Sequence, residues 1–193
     1  MTKRPKINTY TVQYNIGNNI LRYNLRFYRK QRNLSQKQLS IRTGLQRSYI
    51  AEIESGKRNP TISKVYQIAI SLRIEPWRLL KPITLNEKLY GKENNFTTFD
   101  ITINKAKLLT VAEYMDQLIK SIQIIRKKKG WTQKDLARFS GLSEIFIRLI
   151  EQRKKEPTVE SISKLAIAFH IPVWQLMKGI DQNSIWFQHD MWL

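Results

Sequence analysis

Gln46, Arg47 and Ser48 stand side by side, and their donors and acceptors suit flat partners that present hydrogen-bonding edges. A guanidinium such as that of Arg47 can donate two parallel bonds to guanine O6 and N7, and the Gln46 carboxamide can pair with adenine N6 and N7. Glu52 can accept from cytosine N4, or simply hold Arg47 or Arg42 in place. Tyr49, Lys57 and Arg58 follow closely and would sit beside phosphates. The bland alternative for Gln46, Arg47 and Ser48 is a solvated polar helix face.

The charge balance points the same way. The 193 residues hold 34 Lys and Arg against 15 Asp and Glu, a formal net charge of +19. A charge so lopsided calls for an acidic partner, and nucleic acid leads the list. Between Asn19 and Pro82 the count is 14 basic to 3 acidic, so this segment carries about +11, the larger share.

Other chemistry is poorly provided for. There is no Cys, and His170 and His189 are the only histidines, which excludes disulfide scaffolds, Cys-type zinc sites and thiol nucleophiles. No P-loop, G-x-S-x-G or paired-carboxylate spacing occurs, so no catalytic residue, metal or cofactor is expected. His170 reads as a structural or solvated residue at a helix end. No apolar run is long enough for a membrane span and no signal-peptide core follows the first residues, so a soluble, cytoplasmic protein is expected.

An internal repeat must position the reading residues. A shift of 97 places lays Leu25–Lys81 on Ile122–Lys178 without a gap, with about 19 identities in 57 positions. Ser35 and Thr132 are suited to cap short helices that carry Leu39 or Leu136 inward. Gly44 and Gly141 end those helices where the chain turns at positive φ. Gln46 or Ser143 then opens a third helix with Ile50 and Ile53, or Ile147 and Ile150, on its buried face. In the first repeat Gly56 stops it. Arg153 occupies the matching place in the second, so a different helix end or loop is expected there. Pro60-Thr61 and Pro157-Thr158 precede a fourth helix, and Trp77 and Trp174 fall in a short fifth. A longer amphipathic helix precedes each motif, at about 19–32 and 109–129.

Helix, glycine turn, helix is the spacing of a helix-turn-helix. The strings SQKQLSIRTGLQRSYIAEIESGKRNPT and, with departures, TQKDLARFSGLSEIFIRLIEQRKKEPT closely resemble the lambda-repressor-like (Cro/XRE-type) helix-turn-helix family. The resemblance spans about two thirds of the chain. It implies an all-α fold of two tandem five-helix domains and a transcriptional regulator of double-stranded DNA, a repressor or an activator. By the same resemblance Gln36 is a phosphate clamp, and Gln46, Arg47, Ser48 and Glu52 are the base readers.

The second repeat departs where it matters. Glu144 replaces Arg47, and Ile145 and Leu149 replace Ser48 and Glu52. An apolar pair on an outward face can be a protein or dimer contact, a packing site for the tail or connector, or a reader of thymine methyl groups. Gln133, Ser143, Arg153 and Lys154 remain candidates for DNA contact, beside the solvated-end reading of their charge run. The alternative function is thus a protein-interaction role, antitoxin-like or accessory, through the apolar face of the second repeat.

The expected organisation is an N-terminal segment 1–18, a first domain 19–82, a connector 83–108, a divergent second domain 109–180 and an aromatic tail 181–193. Tyr10, Val12 and Tyr14, and Phe99, Ile101 and Ile103, alternate with strand period, which allows short β segments in both places. Trp186 and Trp192 in the tail either pack on their own domain or join a partner or dimer contact. A homodimer is expected, because single-motif relatives read palindromes as dimers, with the protein on the nucleoid when bound.

Overall fold

The computed structural model describes residues 9–84 and 109–179, and of residues 9–16 the backbone alone. The first repeat folds as α1 (Thr9–Gln31), α2 (Gln36–Thr43), α3 (Arg47–Ser55), α4 (Ile62–Ser71) and a 3-10 helix (Pro76–Leu80). The second folds as α5 (Val111–Lys128), α6 (Gln133–Ser140), α7 (Glu144–Glu151), α8 (Val159–Phe169) and α9 (Val173–Lys178). Among the described residues there is no strand, only a single antiparallel bridge between Thr61 and Thr158. No helix among them is long and apolar enough to cross a membrane.

Local signals set the short helices. Ser35 accepts from the Gln38 N–H while the Gln38 side chain accepts from Ser35 N–H, and Thr132 and Asp135 repeat the exchange. Gly44 (φ 68°) and Gly141 (φ 67°) then reverse the chain in the left-handed region. Leu39, Ile50 and Ile53 of the first repeat, and Leu136, Ile147 and Ile150 of the second, are buried as their spacing requires.

The N-terminal expectations are corrected. Tyr10, Val12 and Tyr14 lie inside α1, not in a strand, and the boundary expected at residue 19 falls within that helix. A five-residue alternation is a weak signal, and each residue added to an existing helix gains a backbone hydrogen bond without a new nucleus. The helix end at Arg153 differs by one residue, as expected: α7 stops at Glu151 where α3 runs one place further, to Ser55, although Arg153 takes φ 61° where Gly56 takes 79°. The next N–H closes on the same carbonyl in both, Lys57 to Glu52 and Lys154 to Leu149, at 2.8 Å. In the first repeat Arg22 lies against Gly56, within 3.1 Å of where a Cβ would stand. Buried Ile119 holds the matching place in the second, and the Arg153 side chain pairs instead with Asp116 at 2.8 Å. The connector alternation at Phe99, Ile101 and Ile103 lies outside the described residues.

The two repeats are packed against each other reciprocally. Ile62 N–H donates to the Pro157 carbonyl and Val159 N–H to that of Pro60, both at 3.0 Å. Ser63 N–H, at the start of α4, donates to the Glu156 carboxylate at 2.6 Å, and Glu160 N–H, at the start of α8, donates to Asn59 Oδ1 at 3.1 Å. Each member of these pairs is 97 residues from its counterpart. Helix α1 packs on α8 as α5 packs on α4, and Trp77 meets Trp174 with ring centroids 5.9 Å apart.

Close approach of α1 to α8 depends on Gly17, where a Cβ would stand 2.2 Å from Ser163 Oγ. Gly17→Ala is therefore expected to cost about 1–3 kcal/mol as an overpacked contact. Adding Ser163→Ala should restore most of it, since the Ser163 Cβ is already at an ordinary 3.4 Å. Urea unfolding of both variants checks this; an equal loss in single and double variants would place the cost elsewhere.

Tyr114 anchors the other side of the same interface. Its hydroxyl donates to the Met177 carbonyl at 2.7 Å and its ring lies 5.1 Å from that of Tyr66, whose own hydroxyl donates to the Leu109 carbonyl. Burial pushes the Tyr114 phenol far above its ordinary 10.0, with Tyr66 and Glu75 adding to the shift. The unfolded phenol ionises above about pH 10 and the folded one does not, so stability is full below that pH and declines above it, by up to about 1.4 kcal/mol per pH unit. Tyr114→Phe should flatten the decline in urea midpoints measured from about pH 9 to 11. An unchanged decline would remove Tyr114 as its source.

Candidate nucleic-acid interface

A polar network fixes α3 to the helices around it. Arg29, buried in α1, donates from Nε and Nη2 to the two oxygens of Glu54 at 2.6 and 2.8 Å, and from Nη1 to the Leu34 carbonyl at 2.7 Å. Gln36 Nε2 donates to Glu54 Oε2 at 2.9 Å. One carboxylate at the end of α3 thus ties that helix to α1 and to the first turn of α2. Arg126, Glu151, Gln133 and the Trp131 carbonyl build the same network in the second repeat, at 2.7–2.8 Å. The sequence reading names Gln36 and Gln133 as DNA contacts and gives no role to the Arg and Glu they meet. Three polar residues recurring together at one offset were the signal for a buried pair.

With α3 so fixed, its N-terminal face is left to solvent. Gln46 takes the N-cap position without using its side chain to cap, and Gln46, Arg47 and Ser48 are all exposed. A planar guanidinium, a carboxamide and a hydroxyl therefore project together from the start of one helix, ready for base edges. Glu52 does not hold Arg47 or Arg42. It pairs with Arg58 at 2.7 Å, and the Arg58 guanidinium lies 4.9 Å from the Tyr49 ring centroid. Burial raises the Tyr49 phenol above its ordinary 10.0, opposed by Arg58 and aided by Glu156 and Glu52, so it stays a neutral donor. Lys57 is exposed beside this cluster. The Gln36 amide spends one of its two hydrogens on Glu54.

The matching face of α7 is differently equipped. Ser143 Oγ caps the helix by accepting from the Phe146 N–H at 3.2 Å, Glu144 is exposed, and Ile145 keeps 61% of its surface in water. Leu149 is half-buried, Arg153 is engaged by Asp116, and Lys154 is exposed. The protein cover expected over Ile145 is not supplied by the described residues. Trp186 and Trp192 lie outside them. Among the described residues no cluster of three or more His, Asp or Glu could hold a metal ion.

A family model described as a helix-turn-helix domain matches residues 23–81, and a second, described as helix-turn-helix, matches residues 122–173. The control protein C.SmaI of Serratia marcescens is 43% identical over 61 residues, 32% of this chain and 73% of that protein. An uncharacterised HTH-type transcriptional regulator of Sinorhizobium fredii is 30% identical over 67 residues, 35% of this chain and 80% of its own.

The chain belongs to the helix-turn-helix family of transcriptional regulators.

The immunity repressor protein of Bacillus phage phi105 is also similar, 31% identical over 90 residues, 47% of this chain and 62% of the repressor. No solved structure matches the chain at a significant level. Within the helix-turn-helix frame, α2 and α3 are the motif of the first repeat and α6 and α7 that of the second, as the sequence spacing implied.

Proposed function

We propose that the chain is a sequence-specific regulator of transcription that occupies double-stranded DNA, with α3 as its main reader. The observation that carries this is the exposed Gln46-Arg47-Ser48 face at the start of a helix held rigid by the Arg29–Glu54 pair. Arg47 and Gln46 read base edges, and Ser48 lies beside them. Gln36, Tyr49, Lys57 and Arg58 grip phosphate, with Glu52 setting the Arg58 guanidinium. Gln133, Ser143 and Lys154 supply further backbone contacts from the second repeat. Regulation then follows from where the operator lies relative to a promoter. Work of this kind needs no catalytic group and belongs in the cytoplasm, on the nucleoid when bound.

A second reading gives the second repeat a protein partner, docked through Ile145 and Leu149; the exposure of Ile145 favours it. Selection of bound sequences from random duplexes by the full chain separates the readings. A recovered consensus supports the regulator, and enrichment of no sequence at any salt concentration rejects it.

A further inference from the structure

We infer that one chain is a complete operator-binding unit, a dimer folded into a single polypeptide, that reads two unlike half-sites. The inference rests on the DNA-binding reading above and deepens it.

The reciprocal contacts between the repeats have the form of an isologous interface, in which residue i of one subunit meets residue j of the other and j meets i. Here both partners are in one chain. Asn59 accepts from the first turn of α8, and Glu156, 97 residues later, accepts from the first turn of α4. Pro60 and Pro157 exchange carbonyl contacts with Val159 and Ile62. Trp77 and Trp174, counterparts of each other, meet directly, with the Lys81 ammonium 5.9 and 5.8 Å from their centroids and that of Lys178 5.8 Å from Trp77. The surfaces a second copy would use are occupied by the chain's own other half. The homodimer expected from the sequence is then not required.

By the same 97-residue correspondence α7 is the counterpart of α3. Each recognition helix runs through a short loop, 56–60 or 152–157, into the Thr61–Thr158 bridge. At no more than ~3.5 Å per residue and about 5 Å across the bridge, the C-terminal ends of the two helices lie within about 50 Å of each other. That bound accommodates the roughly 34 Å between successive entries to the major groove on one face of a duplex.

The two readers differ in chemistry. The first presents Arg47 and Ser48. The second presents Glu144 and Ile145 at the same two positions, so it lacks the bidentate guanine contact and offers an apolar side chain suited to the thymine C5-methyl. The exposed Lys154 and Lys155 flank it and suit phosphate. A duplex offers phosphate and thymine methyl groups side by side, the two things this face can meet together, and the operator it fits is asymmetric.

The test uses the full chain and duplexes selected from a random pool. Two unlike half-sites about one helical turn apart are expected, with one chain per duplex by native mass spectrometry. Arg47→Ala should lose base preference in one half alone and Ile145→Ala in the other alone, both variants keeping the melting temperature of the parent. A palindromic site carrying two chains would overturn the inference while leaving the DNA-binding reading intact. So would a single half-site whose preference Ile145→Ala does not change, which is the result a protein partner on Ile145 predicts. Failure to bind any duplex at low salt would remove the underlying reading as well.

Discussion

Binding of the full chain to its selected duplex is expected to weaken by about three to five orders of magnitude as salt rises from about 50 to about 200 mM, the loss for six to ten phosphate contacts. The basis is counterion release, with log K falling by about 0.9 for each phosphate neutralised. A formal charge of +19 supplies the cations, and several of them flank the proposed readers. Lys57, Lys154 and Lys155 are exposed, and Arg58 is held by Glu52 in a defined place. Fluorescence anisotropy across a salt series measures the slope. Each Lys→Ala change at a phosphate contact should reduce it by about one. A slope near zero would mean that the charge serves something other than a duplex.

Arg29→Ala is expected to destabilise the fold by about 3–5 kcal/mol, the cost of leaving a buried charge without its partner. The Arg29 and Glu54 side chains are 10% and 5% exposed, so water cannot replace the guanidinium. What remains is a buried carboxylate with the Gln36 amide as its neighbour. Against a total stability of about 5–15 kcal/mol, that loss decides whether the first repeat stays folded at working temperature. Arg126→Ala should cost a similar amount through Glu151. Replacing Arg29 and Glu54 together by Met and Leu should recover most of the loss, because it is the orphaned charge that is costly. Urea unfolding decides the matter. A single-variant cost below about 1 kcal/mol, the worth of a surface pair, would show that the network is hydrated and not structural.

Interactions that act over a few residues are legible in the sequence, and those between distant segments are not. Ser35, Thr132, Gly44 and Gly141 act within a few residues of themselves, so residue type and spacing were enough to place them. The third helices were legible for the same reason, since Ile50 with Ile53 and Ile147 with Ile150 form a local stripe. The extension of α1 back to Thr9 was not, because the surface that α1 meets belongs to α8, about 140 residues further along. Asn59 and Glu156 looked like ordinary turn residues; their work as caps is done on the other repeat and leaves no local trace. At Arg153 a non-glycine residue takes the left-handed position of Gly56, and the helix before it ends one residue earlier. Of the candidate site, the Gln46-Arg47-Ser48 face is visible in residue types, and the buried network that fixes its helix is not.

The most direct measurement is the affinity of Arg47→Ala for the selected operator and for a random duplex of equal length at one salt concentration. Arg47 as a base reader predicts a loss of about 1–3 kcal/mol on the operator and little change on the random duplex. Gln36→Ala should weaken the two about equally. An equal loss on both duplexes for Arg47→Ala would make Arg47 a phosphate contact, and would contradict α3 as the element that reads sequence.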